Sequence, residues 1–216
     1  MNRARRRPAR PDESGYSLVE VVVTAGLVSV LMVIFTTAVL QVFRTGAQTE
    51  SAAAARSQLQ LAFQRFDREL RYASWIGEPG KVGTAWYVEF ASSDGKECLQ
   101  LRLRTIDPLA DPRDTAGQGV LQLIRWAPGS PAVKTRPDQT IASQLITGSD
   151  SPFELQPAGI TIAGAAPFTP DFERLRIRLT AKVGTSTADA DTTFTALNTS
   201  RNTPATHQCG EGRPSS

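Results

Sequence analysis

The longest uncharged run in the chain lies near its N-terminus: no side chain between Glu20 and Arg44 is ionisable, and Val21 to Leu40 alone supplies twenty such positions. Twenty predominantly apolar residues cross about 30 Å of hydrocarbon as a helix. Extension to Tyr16–Phe43 leaves reserve for tilt, so the pattern predicts one membrane-spanning helix. Past Arg44 the pattern changes. Leu59, Phe63, Phe66, Leu70 and Ala73 recur at spacings of four, three, four and three, one apolar stripe on an otherwise polar helix. Arg65–Glu69 and Asp67–Arg71 stand four residues apart on its polar side. The helix is expected to run from Leu18 to Ile76, on the order of 85–90 Å at 1.5 Å per residue. Gly46 is the expected point of bending, and Gly77-Glu78-Pro79-Gly80 the stop.

Strand patterns follow. Ala85–Phe90, Glu97–Arg104, Val120–Trp126 and Arg174–Val183 alternate or run apolar between turn residues, and Thr192–Leu197 reads as a last strand. Leu99, Leu101 and Leu103 share one face, as do Leu175, Ile177 and Leu179. A sheet with one apolar face needs a cover, and the Leu59–Ala73 stripe supplies it. The predicted class is α+β, a long N-terminal helix packed on an antiparallel sheet. Asp107–Gly119 and Ala127–Gln139, rich in Pro, Gly and charge, read as long loops. The tail 198–216 lacks periodicity and is expected to be disordered unless Cys209 pins it.

Charge changes the picture of the first segment only. The formal net charge of +3 belongs to residues 1–15, where Arg3, Arg5, Arg6, Arg7 and Arg10 face Asp12 and Glu13; the remainder holds 19 basic and 19 acidic residues. A nucleic-acid surface therefore does not follow from the pI near 9.1. Arginines crowding the N-terminal side place residues 1–15 in the cytoplasm and the body outside it. The apolar run is longer than that of a secretory signal and leads directly into a charged helix. Glu20 stands slightly inside the apolar boundary, where a carboxylate costs about a few kcal/mol unless a cation meets it. Arg10, the nearest leader cation, lies ten residues upstream and beyond Pro11. Cleavage between Gly15 and Tyr16 would create an amine beside the carboxylate.

Those residues carry a family resemblance. A basic leader ending in Gly15, then Tyr16 and "SLVEVVV", with Glu20 four positions on and an uncharged helix after it, resembles the prepilin processing motif of type IV pilins and type II secretion pseudopilins. The resemblance implies cleavage after Gly15 by a prepilin peptidase and methylation of the Tyr16 amine. It implies that Glu20 pairs with the N-terminal amine of a neighbouring pilin or pseudopilin subunit, on an inner-membrane assembly platform. Tyr at position 16 where Phe is usual, and Asp12 and Glu13 before the cut, are departures from the pattern. "LITGSDSPFELQPAGITI", "LRIRLT", "QLQLAFQRFDRELRYAS" and "FTALN" resemble segments of J-type minor pseudopilins and W-type minor pilins. The division implied is a leader 1–15, a transmembrane and assembly helix 16–43, an extracytoplasmic pilin-like domain 44–197 and the tail 198–216. Ala25 and Ser29, with Thr24 and Gly26 beside them, suit close helix packing in lipid.

No catalytic pattern stands against this structural reading. The chain has no G-x-S-x-G, no glycine-rich phosphate loop and no H-E-x-x-H, and His207 is its sole histidine. No enzyme activity and no cofactor are expected. Cys98 and Cys209 form no C-x-x-C pair, which argues against a zinc site; they either pair with each other or remain free thiols. Asp107, Asp111 and Asp114, or Asp189 and Asp191, lack the spacing of a calcium loop and read as solvated carboxylates. Arg174, Arg176, Arg178 and Lys182, with Arg102 and Arg104, project from the sheet's outer face, either as an ordinary solvated face, the favoured reading, or as a surface for DNA or another polyanion. Three functions are therefore weighed: a structural minor pilin or pseudopilin, a filament-tip adhesin or DNA-uptake subunit, and an unprocessed single-pass membrane protein.

Overall fold

The computed structural model of the chain describes residues 17–106, 118–130, 139–163 and 167–214. They fall into two compact units, Met1–Ala47 and Gln48–Ser216. The described part of the first is the opening of helix α1 (Leu18–Leu70). From Leu18 to Ala47 every side chain is exposed except the half-buried Val39. The hydroxyls of Thr24, Ser29 and Thr37 donate to carbonyls four residues back, so these donors are satisfied inside the helix. This helix is long and apolar enough to cross a membrane once. It continues through Gly46 without a break in helical structure.

In the second unit the remainder of α1 packs on an antiparallel sheet. Ala55, Leu59, Ala62, Phe66 and Leu70 form its buried stripe. Phe63 sits at the stripe's edge, half-buried, stacked on Phe194 and edge-on to Phe66 at centroid distances of 5.7 Å in both cases. Polar contacts fix the helix along its length. Ser51 Oγ lies 2.9 Å from Ser186 Oγ, and the Gln58 amide donates to Ser143 O and Oγ at 3.0 Å.

Nine strands make up the sheet: β1 (Trp75–Ile76), β2 (Gly80–Val82), β3 (Ala85–Ala91), β4 (Cys98–Thr105), β5 (Gln118–Trp126), β6 (Gln139–Ile146), β7 (Phe153–Gln156), β8 (Arg174–Val183) and β9 (Ser186–Thr195). Their spatial order is β1-β3-β4-β5-β6-β8-β7, with β2 also on β3 and β9 on the other side of β8. Every pairing is antiparallel. The β3–β5 register sets two faces. Val88, Leu101 and Leu123 stand in one row facing α1, while Glu89, Gln100 and Ile124 stand in the adjacent row on the opposite face. In β8, Leu175, Ile177 and Leu179 are buried and the intervening arginines are not. Gly184 opens the two-residue β8–β9 turn at φ +58°, a conformation that glycine takes without a Cβ clash.

The helix ends earlier than its pattern predicts. Trp75 and Ile76, expected as its last turn, form β1 and pair with Ala91 and Phe90. Two donors, one backbone and one side-chain, meet the chain just past the stop: Leu197 N donates to Arg71 O and Asn198 Nδ2 to Tyr72 O, both at 2.8 Å. These bonds satisfy carbonyls that a helix leaves open at its C-terminus. Of the expected strand Thr192–Leu197, the first four residues are the end of a longer strand, β9 (Ser186–Thr195), and Ala196 and Leu197 lie beyond it. Strands β6 and β7 lie where no strand was expected. Residues 107–117 and 131–138, the centres of the two expected loops, lie outside the described residues. Residues 198–214, expected to be disordered unless Cys209 pinned them, are pinned: Cys98 and Cys209 form a disulfide, and Gln208–Gly212 makes a 3-10 turn over β3 and β4.

Phe66→Ala is expected to cost about 3–5 kcal/mol, because it empties the centre of the aromatic trio. Leu61→Ala, on the exposed side of the same helix, should change stability by no more than about 0.5 kcal/mol. Urea unfolding of the detergent-solubilised chain, followed by near-ultraviolet circular dichroism, checks both.

Candidate processing and assembly site

The candidate residues from the sequence are Gly15, Tyr16 and Glu20. Gly15 and Tyr16 lie outside the described residues. Glu20 occupies the first turn of α1, fully within the helix and exposed. Ser17 O accepts from Glu20 N at 2.9 Å and from Val21 N at 3.2 Å, so the turn is closed by the backbone. Glu20 O in turn accepts the Thr24 hydroxyl at 2.8 Å. Its carboxylate has no ion-pair partner among the described residues. A negative group in the first turn is favoured by the helix dipole. In hydrocarbon that contribution is small beside the cost of an unpaired carboxylate, so a cation is still required.

Several of the other candidates are engaged by neighbouring side chains. Arg176 donates from Nε and Nη2 to Asp191 at 2.8 and 2.6 Å and lies 3.6 Å from Glu154; Arg178 reaches Glu154 at 3.5 Å. The hydrogen bonds from Arg176 hold the Asp191 carboxyl below its usual range. Arg102 and Arg104 both donate to Gln122 Oε1, and burial pulls the Arg102 guanidinium below its ordinary value. The row of arginines is thus interleaved with carboxylates and amides, which favours an ordinary sheet face over a polyanion surface. Asp189 accepts the Thr180 hydroxyl at 2.6 Å and Asp191 is engaged by Arg176, an ion-paired arrangement instead of an open oxygen cage. Asp107, Asp111 and Asp114 lie outside the described residues.

Three features were not legible beforehand. Cys98 and the neighbouring residues His207 and Cys209, far from it in the chain, place their ligand atoms within 4.8 Å of one another. With the two sulfurs joined they are not the thiolates that bind zinc, and His207 Nδ1 accepts Cys209 N at 3.1 Å while its ring stacks on Trp75. Glu89 is buried between β3 and the C-terminal segment, where Gln100 Nε2 donates to Oε1 at 2.8 Å and the Arg213 guanidinium grips both oxygens. Glu173 is 9% exposed and accepts Ile76 N at 3.2 Å. Burial raises its pKa above the ordinary carboxylate value, and that single hydrogen bond offsets only part of the shift. Single acidic letters at 89 and 173 carry no pattern that distinguishes them from solvated ones.

Comparison with protein-family models, curated proteins and solved structures returned no match.

Because Glu173 binds its proton more tightly in the folded chain than in the unfolded one, its contribution to stability falls as pH rises from the ordinary carboxylate range through the raised value. Glu173→Gln should remove that slope. The difference in melting temperature, variant minus wild type, is expected to grow between about pH 4 and about pH 7, as thermal unfolding at matched pH values will show.

Proposed function

We propose that the chain is a structural minor pilin or pseudopilin, cut after Gly15 and built into a filament of the type IV pilus or type II secretion class through its N-terminal helix. The observation that carries this reading is Glu20, a carboxylate without a described partner at the head of a helix that is otherwise uncharged to Phe43. Removal of residues 1–15 places the Tyr16 amine four residues from it, and within a bundle of parallel helices a neighbour's amine reaches the same level. The ion pair then forms inside lipid, where leaving either charge alone costs several kcal/mol. The site acts by complementarity of charge and involves no bond-making step of its own.

The architecture supports this reading in a second way. An α1 that is apolar on all sides up to Phe43 and apolar on one stripe after Arg44 suits a subunit that waits in the membrane and then joins a helical core. The arginine-rich leader sets the N-terminus in the cytoplasm and the β domain outside. The prepilin peptidase, sister subunits and an assembly platform of the inner membrane are the partners of this reading. The balanced sheet face gives no support to a DNA-binding role.

Intact mass and N-terminal peptide mapping of the protein from peptidase-competent membranes should give a first residue Tyr16 carrying one methyl group. Glu20→Ala should leave membrane insertion intact and abolish co-assembly with sister subunits. A first peptide that still holds Arg3–Gly15 in such cells would replace the proposal with a plain single-pass anchor.

A further inference from the structure

We infer that residues 202–214 form a redox-governed latch: the Cys98–Cys209 disulfide holds this strap on the outer face of β3–β5, and reduction releases it while the rest of the domain, with Asn198 and Thr199 still bound to Tyr72 and Glu173, stays folded. The seat is a satellite of the main core. Trp75, Ala91, Cys98, Ile124, Trp126 and Cys209 form a small buried cluster of their own, on the side of the sheet away from the helix. Cys209 is the sole member that the strap contributes.

The strap's remaining contacts with its seat are mostly polar. Arg213 grips Glu89 and donates to Glu78 O at 2.6 Å, Gln100 donates to Gly212 O at 2.9 Å, and Gly129 N donates to Glu211 at 2.8 Å. Each exchanges a hydrogen bond to water for one within the protein, and the net gain is modest. Closure also carries a penalty. Trp126 Nε1 is buried without a hydrogen-bond partner among the described residues, and Gly212 lies against the adjoining ring carbons Cε2 and Cζ2. Opening lets water reach that N–H. A few polar contacts, one small buried side chain and an orphaned donor do not offset the entropy of ordering so long a segment. The covalent bond, which closes a sequence separation of 111, removes most of that cost beforehand.

The rest of the domain does not depend on the seat. The helix stripe, β8 and β9 belong to the other, larger cluster, and α1 is held there by Phe66, Leu70 and the Phe63–Phe194 stack. Release therefore uncovers two indoles and the Glu89 carboxylate without dissolving the helix-on-sheet core. The chemistry balances with a dithiol reductant. Two electrons and two protons pass from its thiols to the sulfurs of Cys98 and Cys209, the S–S bond breaks, and the reductant closes into its own disulfide. That the latch closes outside the cytoplasm rests on the membrane reading above; the latch itself rests only on described residues.

The test is hydrogen exchange with mass spectrometry on the full chain in detergent, with and without dithiothreitol, after confirming by thiol titration that the disulfide is reduced. Reduction should speed exchange of the Gln208–Arg213 amides by about tenfold or more, speed trypsin cleavage after Arg201 and red-shift tryptophan emission, with β8–β9 protection unchanged. Unchanged protection of the strap would overturn the latch, because the polar contacts alone would then suffice. Loss of protection in β8–β9 as well would overturn it by making the disulfide a staple of the whole domain. Arg213→Gln with the disulfide intact should keep Cys209 protected to within about twofold; opening of this oxidised variant would transfer closure to the ion pair and contradict the inference.

Discussion

A single helix that meets two environments sets the terms for this chain. Up to Phe43 α1 is apolar all round and almost wholly exposed among the described residues; from Ala55 it is apolar along one stripe and the sheet covers it. α1 is helical from Leu18 to Leu70. A surface of that size needs lipid or other helices. The second part gives the sheet its apolar partner and so decides which face of every strand is buried.

Charge is handled locally throughout the described body. Arg65 and Arg125 both reach Glu69, Arg125 also reaches Glu97, and Arg176 lies between Glu154 and Asp191. Even the deeply buried Glu89 has its own guanidinium. Two carboxylates depart from that habit among the described residues: Glu173, which accepts only the Ile76 N–H, and Glu20, which falls in the segment where an unpaired charge costs most. The same reasoning that makes Arg213 a sensible partner for Glu89 makes an amine from outside the described chain a sensible partner for Glu20.

The pattern revealed the helix, its stripe and the strands whose alternation is regular. β8 was legible from end to end because Leu175, Ile177 and Leu179 bury one face while arginines occupy the other. β6 was not, since its pairing with β5 slips register twice and Gln144 takes a positive φ, which breaks the period of two. The stop of α1 at Leu70 was invisible locally, because its caps come from Leu197 and Asn198 at the far end of the chain. The order of the tail was legible only as a condition on Cys209; its further anchor, the buried Glu89, leaves no periodic trace. At the candidate site Gly15, Tyr16 and Glu20 form a local motif of the sequence, of which the structure describes Glu20.

The pairing of Glu20 with a neighbour's amine is the central claim, and zero-length carbodiimide coupling tests it most directly. Assemblies grown from a mixture of isotopically heavy and light subunits would be coupled, digested and searched for a peptide pair joining the Glu20 carboxyl to the Tyr16 amine. The account predicts heavy–light pairs, which arise only between subunits. Recovery of Glu20 joined solely within one chain, or of a leader still attached ahead of Tyr16, would contradict it.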